Sequence, residues 1–276
     1  MVMETAALEV DDAPSRTRAP ARRRSLPIGW ILPVLILALW YVAYTSEWVN
    51  PILFSSPVQV VQTLWTSTLD GTLPTHLATS VGRWLLGFAI GAALGLALGA
   101  ITGLSSLFER LLDPTVQALR TVPIMGLVPL FIVWFGLGEL PKVILIAFAT
   151  FFQVYIQMFH GIRSIDRKLL EVGRMYELST VETLKRIVIP GAMPSILQGI
   201  RLGLGIAWLA LVIAELTGAN SGVGYWMQTG REYVRVDVVL AALIVFAAVG
   251  KIVDSLVRLL ERRLLRWRDT IDREMR

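Results

Sequence analysis

Two oppositely charged residues stand inside long apolar runs, and they are the side chains best suited to binding or ion pairing. Arg83 lies near the start of the run Gly82–Leu104, and Glu215 lies near the end of the run Ile196–Leu216. Ionisable groups within a membrane are costly and are usually paired or functional. If the first run crosses inward and the second outward, both residues lie at similar depth, and we predict that they approach each other. Two roles stay open: a structural ion pair, or an arginine that faces a pathway and attracts an anionic substrate.

Other kinds of chemistry have few candidates in this sequence. There is no cysteine, so neither thiol chemistry nor a disulfide framework is available. The two histidines, His76 and His160, lie far apart in the sequence and suggest no metal site. No loop of the form G-x-x-x-x-G-K-[ST], which binds nucleotide phosphates, occurs. We therefore predict no catalytic residue, no metal and no cofactor in this chain.

The composition predicts an all-α integral membrane protein. Hydrophobic residues make up 55% of the chain and charged residues only 17%, whereas soluble domains carry about 25% charged residues. A membrane-spanning helix needs roughly 20 mostly apolar residues. We expect about six spans, at Gly29–Tyr44, Gly82–Leu104, Val122–Leu137, Lys142–His160, Ile196–Leu216 and Val239–Val257.

The positions of the basic residues predict the orientation of these spans. Lys and Arg crowd into the N-terminal tail, the segments 105–120 and 161–190, and the chain from Arg258 onward. The alternate segments hold only Lys142, Arg231 and Arg235. Cytoplasmic segments are enriched in Lys and Arg, so both termini and segment 161–190 are expected in the cytoplasm. The same distribution explains the basic pI without a nucleic-acid partner.

Five glycines in the second predicted span recur at intervals of four residues. They are Gly87, Gly91, Gly95, Gly99 and Gly103, and this spacing places them on one helix face. Such a small-residue stripe lets another helix backbone approach closely. The stripe is interpreted as a packing seam or as an axis about which a gate moves.

The third predicted span contains two prolines, Pro123 and Pro129. Proline interrupts a helical hydrogen bond, and interrupted helices in membranes are tolerated where they are buried or line a cavity. The span is therefore either an ordinary kinked helix or a pore-lining element. Pro129 and Trp134 are our candidate pathway residues here.

A charged segment, Leu170–Arg201, separates two apolar runs and has the pattern of two short helices. Asp166 is placed to cap the first helix, and Ser179 with Glu182 fits a capping box for the second. Pro190 and Gly191 are expected to end the second helix. Capped helices with apolar faces outside the lipid are suited to docking on a cytoplasmic partner.

These residues resemble the permease subunits of ABC importers. The signature of that family is E-A-A-x-x-x-G followed, about nine residues later, by I-x-L-P. Glu171–Gly173 stands in place of E-A-A, and Ile187–Pro190 in place of I-x-L-P. The flanking stretches resemble the taurine, aliphatic sulfonate and nitrate branch, and the resemblance covers roughly Thr75–Trp267; the stretches are 118–138, 191–216 and 214–227.

One residue departs from the signature. Glu177 occupies the glycine position, in the turn between the two short helices. A left-handed conformation there costs about 1–2 kcal/mol for a residue other than glycine. Three interpretations stay open: the turn is reshaped, Glu177 adds a charge contact to the partner ATPase, or the substitution is a tolerated variation of the turn.

The resemblance implies a type I ABC importer permease fold with cytoplasmic coupling helices, in the plasma (inner) membrane of a bacterium. It also implies two permease copies, here a homodimer, two cytoplasmic ATPase subunits that bind ATP and Mg, and an external solute-binding protein. The expected substrate is a small oxyanion, with an aliphatic sulfonate ahead of taurine or nitrate. The implied ATPase-coupling residues are Glu171, Val172, Gly173, Glu177, Leu178, Ser179, Ile187 and Pro190.

The predicted organisation has four parts. Residues 1–26 form a disordered basic cytoplasmic tail, 27–74 the first span and an external connection, 75–267 the permease domain, and 268–276 a second tail. The domain includes a coupling loop at 166–190. Two other functions stay open: an ion-coupled secondary transporter, in which Glu215 is almost the only candidate for a proton relay, and a membrane scaffold or sensor.

Overall fold

A computed structural model describes residues 31–48, 50 and 53–264, and every regular element in these residues is a helix. The two predicted tails, 1–26 and 268–276, lie outside the described residues. A single π turn, Leu184–Val188, interrupts the series. The helices are α1 Ile31–Thr45, α2 Pro57–Leu69, α3 Thr72–Leu104, α4 Ser106–Arg120, α5 Ile124–Phe135, α6 Glu139–Arg163, α7 Arg167–Met175, α8 Thr180–Thr183, α9 Ile189–Leu216, α10 Val223–Glu232 and α11 Val236–Leu264.

Four stretches of helix are long and apolar enough to cross a membrane. They are α3, α6, the stretch Thr180–Leu216 and the stretch Val236–Glu261, and they confirm the second, fourth, fifth and sixth predicted spans. The third predicted span, Val122–Leu137, is represented by α5, a helix of 12 residues that meets α4 at an angle of 99°. The first predicted span, Gly29–Tyr44, is represented by α1, an apolar helix of 15 residues. Its first two residues, Gly29 and Trp30, lie outside the described residues.

The bundle has two ends, because α3, α6 and α11 begin at the end where α9, which runs in the opposite direction, finishes. At one end, here called the α10 end, α10 lies with α2 and with the first turns of α3, α6 and α11. The opposite end, here called the α7 end, carries α4, α7 and α8 beside the last turns of α3 and α6. Each long helix thus presents one terminus to each end.

The glycine stripe of α3 packs directly against α6, as the spacing predicted. A methyl group added at Gly95 would lie 2.8 Å from the carbonyl oxygen of Phe151, and one at Gly99 would lie 2.7 Å from that of Tyr155. Added at Gly91, it would collide with the Ala147 carbonyl. The stripe is therefore a packing seam in which any larger side chain is excluded.

A second core joins α3, α9 and α11 through aromatic side chains. The Trp208 ring lies 5.5 Å from that of Trp84 and 5.7 Å from that of Phe246, both in edge-on arrangements. Trp208 Nε1 donates a hydrogen bond to the Phe246 carbonyl oxygen at 3.2 Å. Buried indole rings with a bonded N–H both fill space and fix orientation, so this core holds α9 against its neighbours.

The prediction that Pro190 and Gly191 end the second short helix is wrong. The helix begun at Thr180 continues through the π turn into α9, and Pro194 also lies within α9. In the π turn, the Ile189 N–H donates to the carbonyl of Leu184, five residues back. Proline normally breaks a helix because its ring meets the carbonyl four residues earlier. The wider π turn directly before Pro190 relieves that collision, so the chain stays helical.

Candidate functional site

Both predicted caps of the coupling loop are present. The Asp166 carboxylate accepts a hydrogen bond from the Lys168 N–H at 2.9 Å and starts α7. Ser179 and Glu182 form the capping box at the start of α8: the Glu182 N–H donates to Ser179 Oγ at 3.3 Å, and the Ser179 N–H donates to Glu182 Oε2 at 3.1 Å. These bonds satisfy the N–H groups that a helix start leaves open, so each short helix has a fixed beginning.

Glu177 adopts the left-handed conformation that its position in the signature requires of glycine. Its φ angle is 51°, so the turn between α7 and α8 is not reshaped. The Leu178 N–H donates to the Gly173 carbonyl at 3.0 Å, and the Glu177 N–H to the Arg174 carbonyl at 3.0 Å. This pair of bonds is the Schellman motif that ends many helices. The turn keeps its geometry although Glu177 carries the backbone strain.

Gly173 fixes the angle between the two arms of the coupling loop. A methyl group added there would lie 2.9 Å from Ile187 Cδ1 and 3.7 Å from Leu178 Cδ1. Of the candidate coupling residues, Gly173 is buried and Leu178 and Ile187 are half-buried. These three therefore hold α7 against the helix that begins at Thr180.

The remaining candidate coupling residues lie on the surface of the loop. Exposed among them are Glu171, Val172, Glu177, Ser179 and Pro190. The same surface carries two large side chains that are not among the candidate coupling residues, Met175 at 83% exposed and Tyr176 at 77% exposed. Large exposed apolar groups on a polar loop mark an interaction surface. We call Val172, Met175 and Tyr176, together with the neighbouring Glu171, the loop surface.

Arg83 and Glu215 contact each other, as predicted. Arg83 Nη1 lies 2.7 Å from Glu215 Oε1, and both side chains are almost completely buried. Glu215 also accepts hydrogen bonds from Ser80 Oγ at 2.8 Å and from the Gly224 N–H at 2.9 Å. Both charges are therefore neutralised and hydrogen-bonded, as a buried ion pair requires.

Every donor of the Arg83 guanidinium is engaged. Besides Glu215, Arg83 Nη1 donates to the Ser221 carbonyl at 2.6 Å, and Nη2 donates to Ser221 Oγ at 2.8 Å. Nε and Nη2 bind the two oxygens of Glu139 at 2.5 Å and 2.7 Å. A guanidinium has five N–H donors, so none is left for an anion. The geometry thus favours a structural role over direct attraction of substrate by Arg83.

We call the cluster of Ser80, Arg83, Glu139, Glu215 and Ser221 the Arg83 network. It joins α3, α6, α9 and the connection between α9 and α10 at the α10 end of the bundle. Glu139 and Ser221 were missed by sequence reasoning, because both stand in short polar connections where a charged or hydroxyl residue is ordinary. Lys142 adds a further cation, with Nζ 3.4 Å from Glu139 Oε1.

Pro129 and Trp134 stay apart from this network. Both lie on α5 and are exposed, Trp134 at 62%. The small cavity beside the network is lined by Val128 and Phe131 of α5 rather than by these two candidates. Their proposed place on a pathway is therefore not supported by contacts within one copy of the chain.

A second charged cluster, also missed from the sequence, lies between α9 and α11. Arg201 Nη2 is 3.0 Å from Asp254 Oδ1, and Nη1 is 3.3 Å from Glu261 Oε2. The groups line a cleft of about 750 Å³ together with Ser195 and Gln198. Partly exposed charges at membrane depth require water or protein around them, so we expect water or protein rather than lipid in this cleft. The only signal in the sequence was the occurrence of charges inside predicted spans.

Comparison with known proteins gives a consistent result. Residues 91–266 match the family described as the binding-protein-dependent transport system inner membrane component. The chain is 45% identical to the putative aliphatic sulfonates transport permease protein SsuC of Bacillus subtilis, over 92% of this chain and 93% of that protein. It is 48% identical to the protein of the same name from Escherichia coli, over 86% and 90%. It is 33% identical to the taurine transport system permease protein TauC of Escherichia coli, over 90% and 91%.

Solved structures of low sequence identity share the fold. A chain of an amino acid ABC transporter superposes with a TM-score of 0.62 at 17% identity, covering 72% of this chain and 97% of that one. A chain of the methionine ABC transporter MetNI superposes with a TM-score of 0.56 at 16% identity, covering 70% and 97%. The helical arrangement is therefore that of type I ABC importer permeases.

Proposed function

Because this chain belongs to the family of binding-protein-dependent transport system inner membrane components, we propose that it forms the translocation pathway of an ATP-driven importer for aliphatic sulfonates. The observation that carries this proposal is the coupling loop, in which two capped helices present an exposed surface while Gly173 fixes their angle. The substrate class is supported by two relatives at 45% and 48% identity that are named for aliphatic sulfonates. The taurine permease at 33% identity supports a sulfonate more broadly.

The proposed assembly contains two copies of this chain, two cytoplasmic ATPase subunits and an external solute-binding protein. ATP and Mg bind to the ATPase subunits, and this chain contributes no catalytic residue. In the described residues, no group of three or more His, Cys, Asp or Glu side chains could hold a metal ion. Transport is then driven by the different affinities of the ATPase partner for two conformations of the permease.

The proposed orientation places the α7 end in the cytoplasm of a bacterium, with both chain termini on that side. The α7 end carries Arg163, Lys168, Arg174, Lys185 and Arg186, whereas the α10 end carries few basic residues. Cytoplasmic loops are the basic ones in multi-pass proteins. The α10 end then faces the external solute-binding protein.

In this mechanism the loop surface docks on the ATPase subunit, and closure of the two ATPase subunits draws the two loop surfaces together. Gly173 packs against Ile187, so a displacement of α7 moves the helix that runs from Thr180 into α9. At its other end, α9 carries Glu215 of the Arg83 network. The contacts thus connect the loop surface, which docks on the ATPase subunit, with the opposite end of the bundle, where the substrate is delivered.

The test is ATP hydrolysis by the permease reconstituted in lipid with its ATPase subunits and binding protein, with and without an alkanesulfonate. We expect ligand-stimulated hydrolysis and uptake in the parent protein. Glu171→Ala is expected to lower the stimulated rate at least about tenfold, as the loss of a charge-assisted contact would. Glu232→Ala, an exposed carboxylate of α10 at the opposite end, is the matched control and should keep the parent rate.

Two results would contradict the proposal. Uptake of the sulfonate without any ATPase would favour an ion-coupled transporter instead. Equal ligand-stimulated hydrolysis in the parent and in Glu171→Ala would mean that the loop surface does not couple ATP hydrolysis to transport.

A further inference from the structure

The bonds of Arg83 hold together segments that are far apart in the chain. Its five N–H donors bind α6 through Glu139, α9 through Glu215, and the connection between α9 and α10 through Ser221. Ser80 extends the network, because its Oγ accepts the Val223 N–H at 2.8 Å. One side chain therefore joins three segments of the chain at the α10 end.

The arms of this network differ in how easily they can be released. The Glu215 side chain is completely buried, and leaving Arg83 would strand a charge in the protein interior. The Glu139 side chain is 63% exposed, so water can solvate its carboxylate once it leaves Arg83. Release of Glu139 from Arg83 therefore costs less than release of Glu215, because the freed Glu139 carboxylate stays in contact with water.

The segment that Glu139 holds is the one best able to move. Glu139 begins α6 directly after the turn 136–138, which contains Gly136 with a φ angle of 80°. That turn follows α5, a short helix that bends by 99° from α4 and leaves Trp134 exposed. Short elements at a break, with few buried groups, are drawn from the less stable part of a fold.

The space behind Glu139 is closed in this conformation. The cavity between α5, α6 and α9 is only about 20 Å³ and is lined by Phe131, Leu137, Lys142 and Ala214, among others. The cleft between α9 and α11, which reaches toward the α7 end, measures about 750 Å³. The chain is therefore sealed near the Arg83 network and open farther along the bundle.

We propose that the Arg83 network closes the α10 end of the pathway, and that Glu139 is the positioning residue whose departure from Arg83 opens it. This inference rests on the proposed function, in which the α10 end faces the external binding protein. Glu215 and Ser221 stay on Arg83 while Glu139 moves with the turn 136–138.

The absence of cysteine from the sequence makes a direct test possible. Ala214 lines the sealed cavity and is 4% exposed, so Ala214→Cys should react slowly with a membrane-impermeant thiosulfonate added from the α10 side. The permease is assembled with its ATPase subunits in liposomes without nucleotide. We expect Glu139→Gln to raise the labelling rate about tenfold, since it removes a charge-assisted, two-point contact.

Two controls separate opening from general damage. Asn220→Cys lies on the exposed connection before α10 and should label at the same fast rate with and without Glu139→Gln. Glu232→Gln, also an exposed carboxylate at the α10 end, should leave the labelling of Ala214→Cys unchanged. Glu139→Asp keeps the charge, and it should label more slowly than Glu139→Gln. Glu139→Ala, which lacks the carboxylate, is the test variant if the glutamine variant assembles poorly.

Equal labelling of Ala214→Cys in the parent and in both Glu139 variants would overturn the proposal. The labelling needs neither substrate nor ATP, so its outcome is independent of the proposed substrate. A protein that imports no sulfonate but labels faster with Glu139→Gln would refute the proposed function and keep the closing network. A protein that imports a sulfonate but shows unchanged labelling with Glu139→Gln would keep the proposed function and refute the closing network.

Discussion

Glu177 holds the turn of the coupling loop in a conformation that glycine adopts most easily. Its φ angle of 51° lies in the left-handed region, where a side chain costs about 1–2 kcal/mol. The Schellman bonds from Glu177 and Leu178 show that the turn keeps its shape despite that strain. The charge of this exposed glutamate is thus presented at a fixed place, next to the loop surface.

Glu177→Gly is expected to stabilise the permease. Removing the strain should raise the free energy of unfolding by about 0.5–1 kcal/mol, after allowance for the greater freedom of glycine in the unfolded chain. The measurement is denaturant unfolding of the permease in detergent. Glu171→Gly, inside α7, is the matched control and should destabilise by about 0.5–1 kcal/mol. A loss of stability in Glu177→Gly would mean that the carboxylate makes a stabilising contact.

Residue patterns predicted some side-chain contacts and missed others for a physical reason. Arg83 and Glu215 were paired correctly because a charge inside an apolar run is conspicuous and needs a partner. Glu139 stands in a turn rich in glycine, where a carboxylate in water needs none. Only the fold shows that this turn lies over Arg83. Sequence reasoning therefore finds buried charges more readily than the exposed charges that bind them.

At the scale of elements, the bundle is organised by the seam between α3 and α6. Backbone approaches backbone along the glycine stripe, so packing in this seam excludes side chains on the α3 face. The spacing of four residues predicted this contact from sequence, because it places all five glycines on one face. The partner helix was not predictable, since several spans were equally apolar.

Gly95→Ala is expected to destabilise the bundle. The added methyl group would lie 2.8 Å from the Phe151 carbonyl oxygen and 2.9 Å from Val154 Cβ, and such overpacking costs about 1–3 kcal/mol. Gly82→Ala is the matched control in the same helix, because no heavy atom lies within 4 Å of its added methyl group. The control should be neutral or slightly stabilising. Thermal unfolding in detergent measures the stability of both variants. Equal midpoint temperatures for Gly95→Ala and Gly82→Ala would contradict close packing along the seam.

The end of the coupling loop shows where pattern reasoning fails at this scale. Pro190 and Gly191 together are a strong stop signal, yet the helix continues past them. A π turn is set by the register of hydrogen bonds over several residues, and no single residue type predicts it. Both N-terminal caps were predicted correctly because capping depends on side chains that the sequence shows.

At the scale of the whole molecule, the basic residues separate the two ends of the bundle. The α7 end is basic and carries the loop surface, whereas the α10 end carries the Arg83 network. In the proposed orientation, the loop surface faces the cytoplasm, as the basic residues around it favour, and the Arg83 network faces the outside.

The proposed orientation predicts which surfaces a membrane-impermeant thiol reagent reaches. Ser106→Cys, exposed at the start of α4, should label in inverted membrane vesicles and stay protected in spheroplasts. Asn220→Cys should show the opposite pattern, because it lies at the α10 end. The parent chain is the control, since it contains no cysteine. Labelling of both variants from the same side would contradict the orientation.

The continuous helical stretch from Thr180 to Leu216, which includes the π turn, also has a mechanical consequence. Its 37 residues span about 55 Å at 1.5 Å per residue. If a stretch of that length moves as one body, it works as a lever: a tilt of one degree about one end moves the other by about 1 Å. The capping box of Ser179 marks one end of this lever and the carboxylate of Glu215 stands at the other. A small rotation imposed at the loop would therefore suffice to shift Glu215 by a distance comparable to the length of a hydrogen bond.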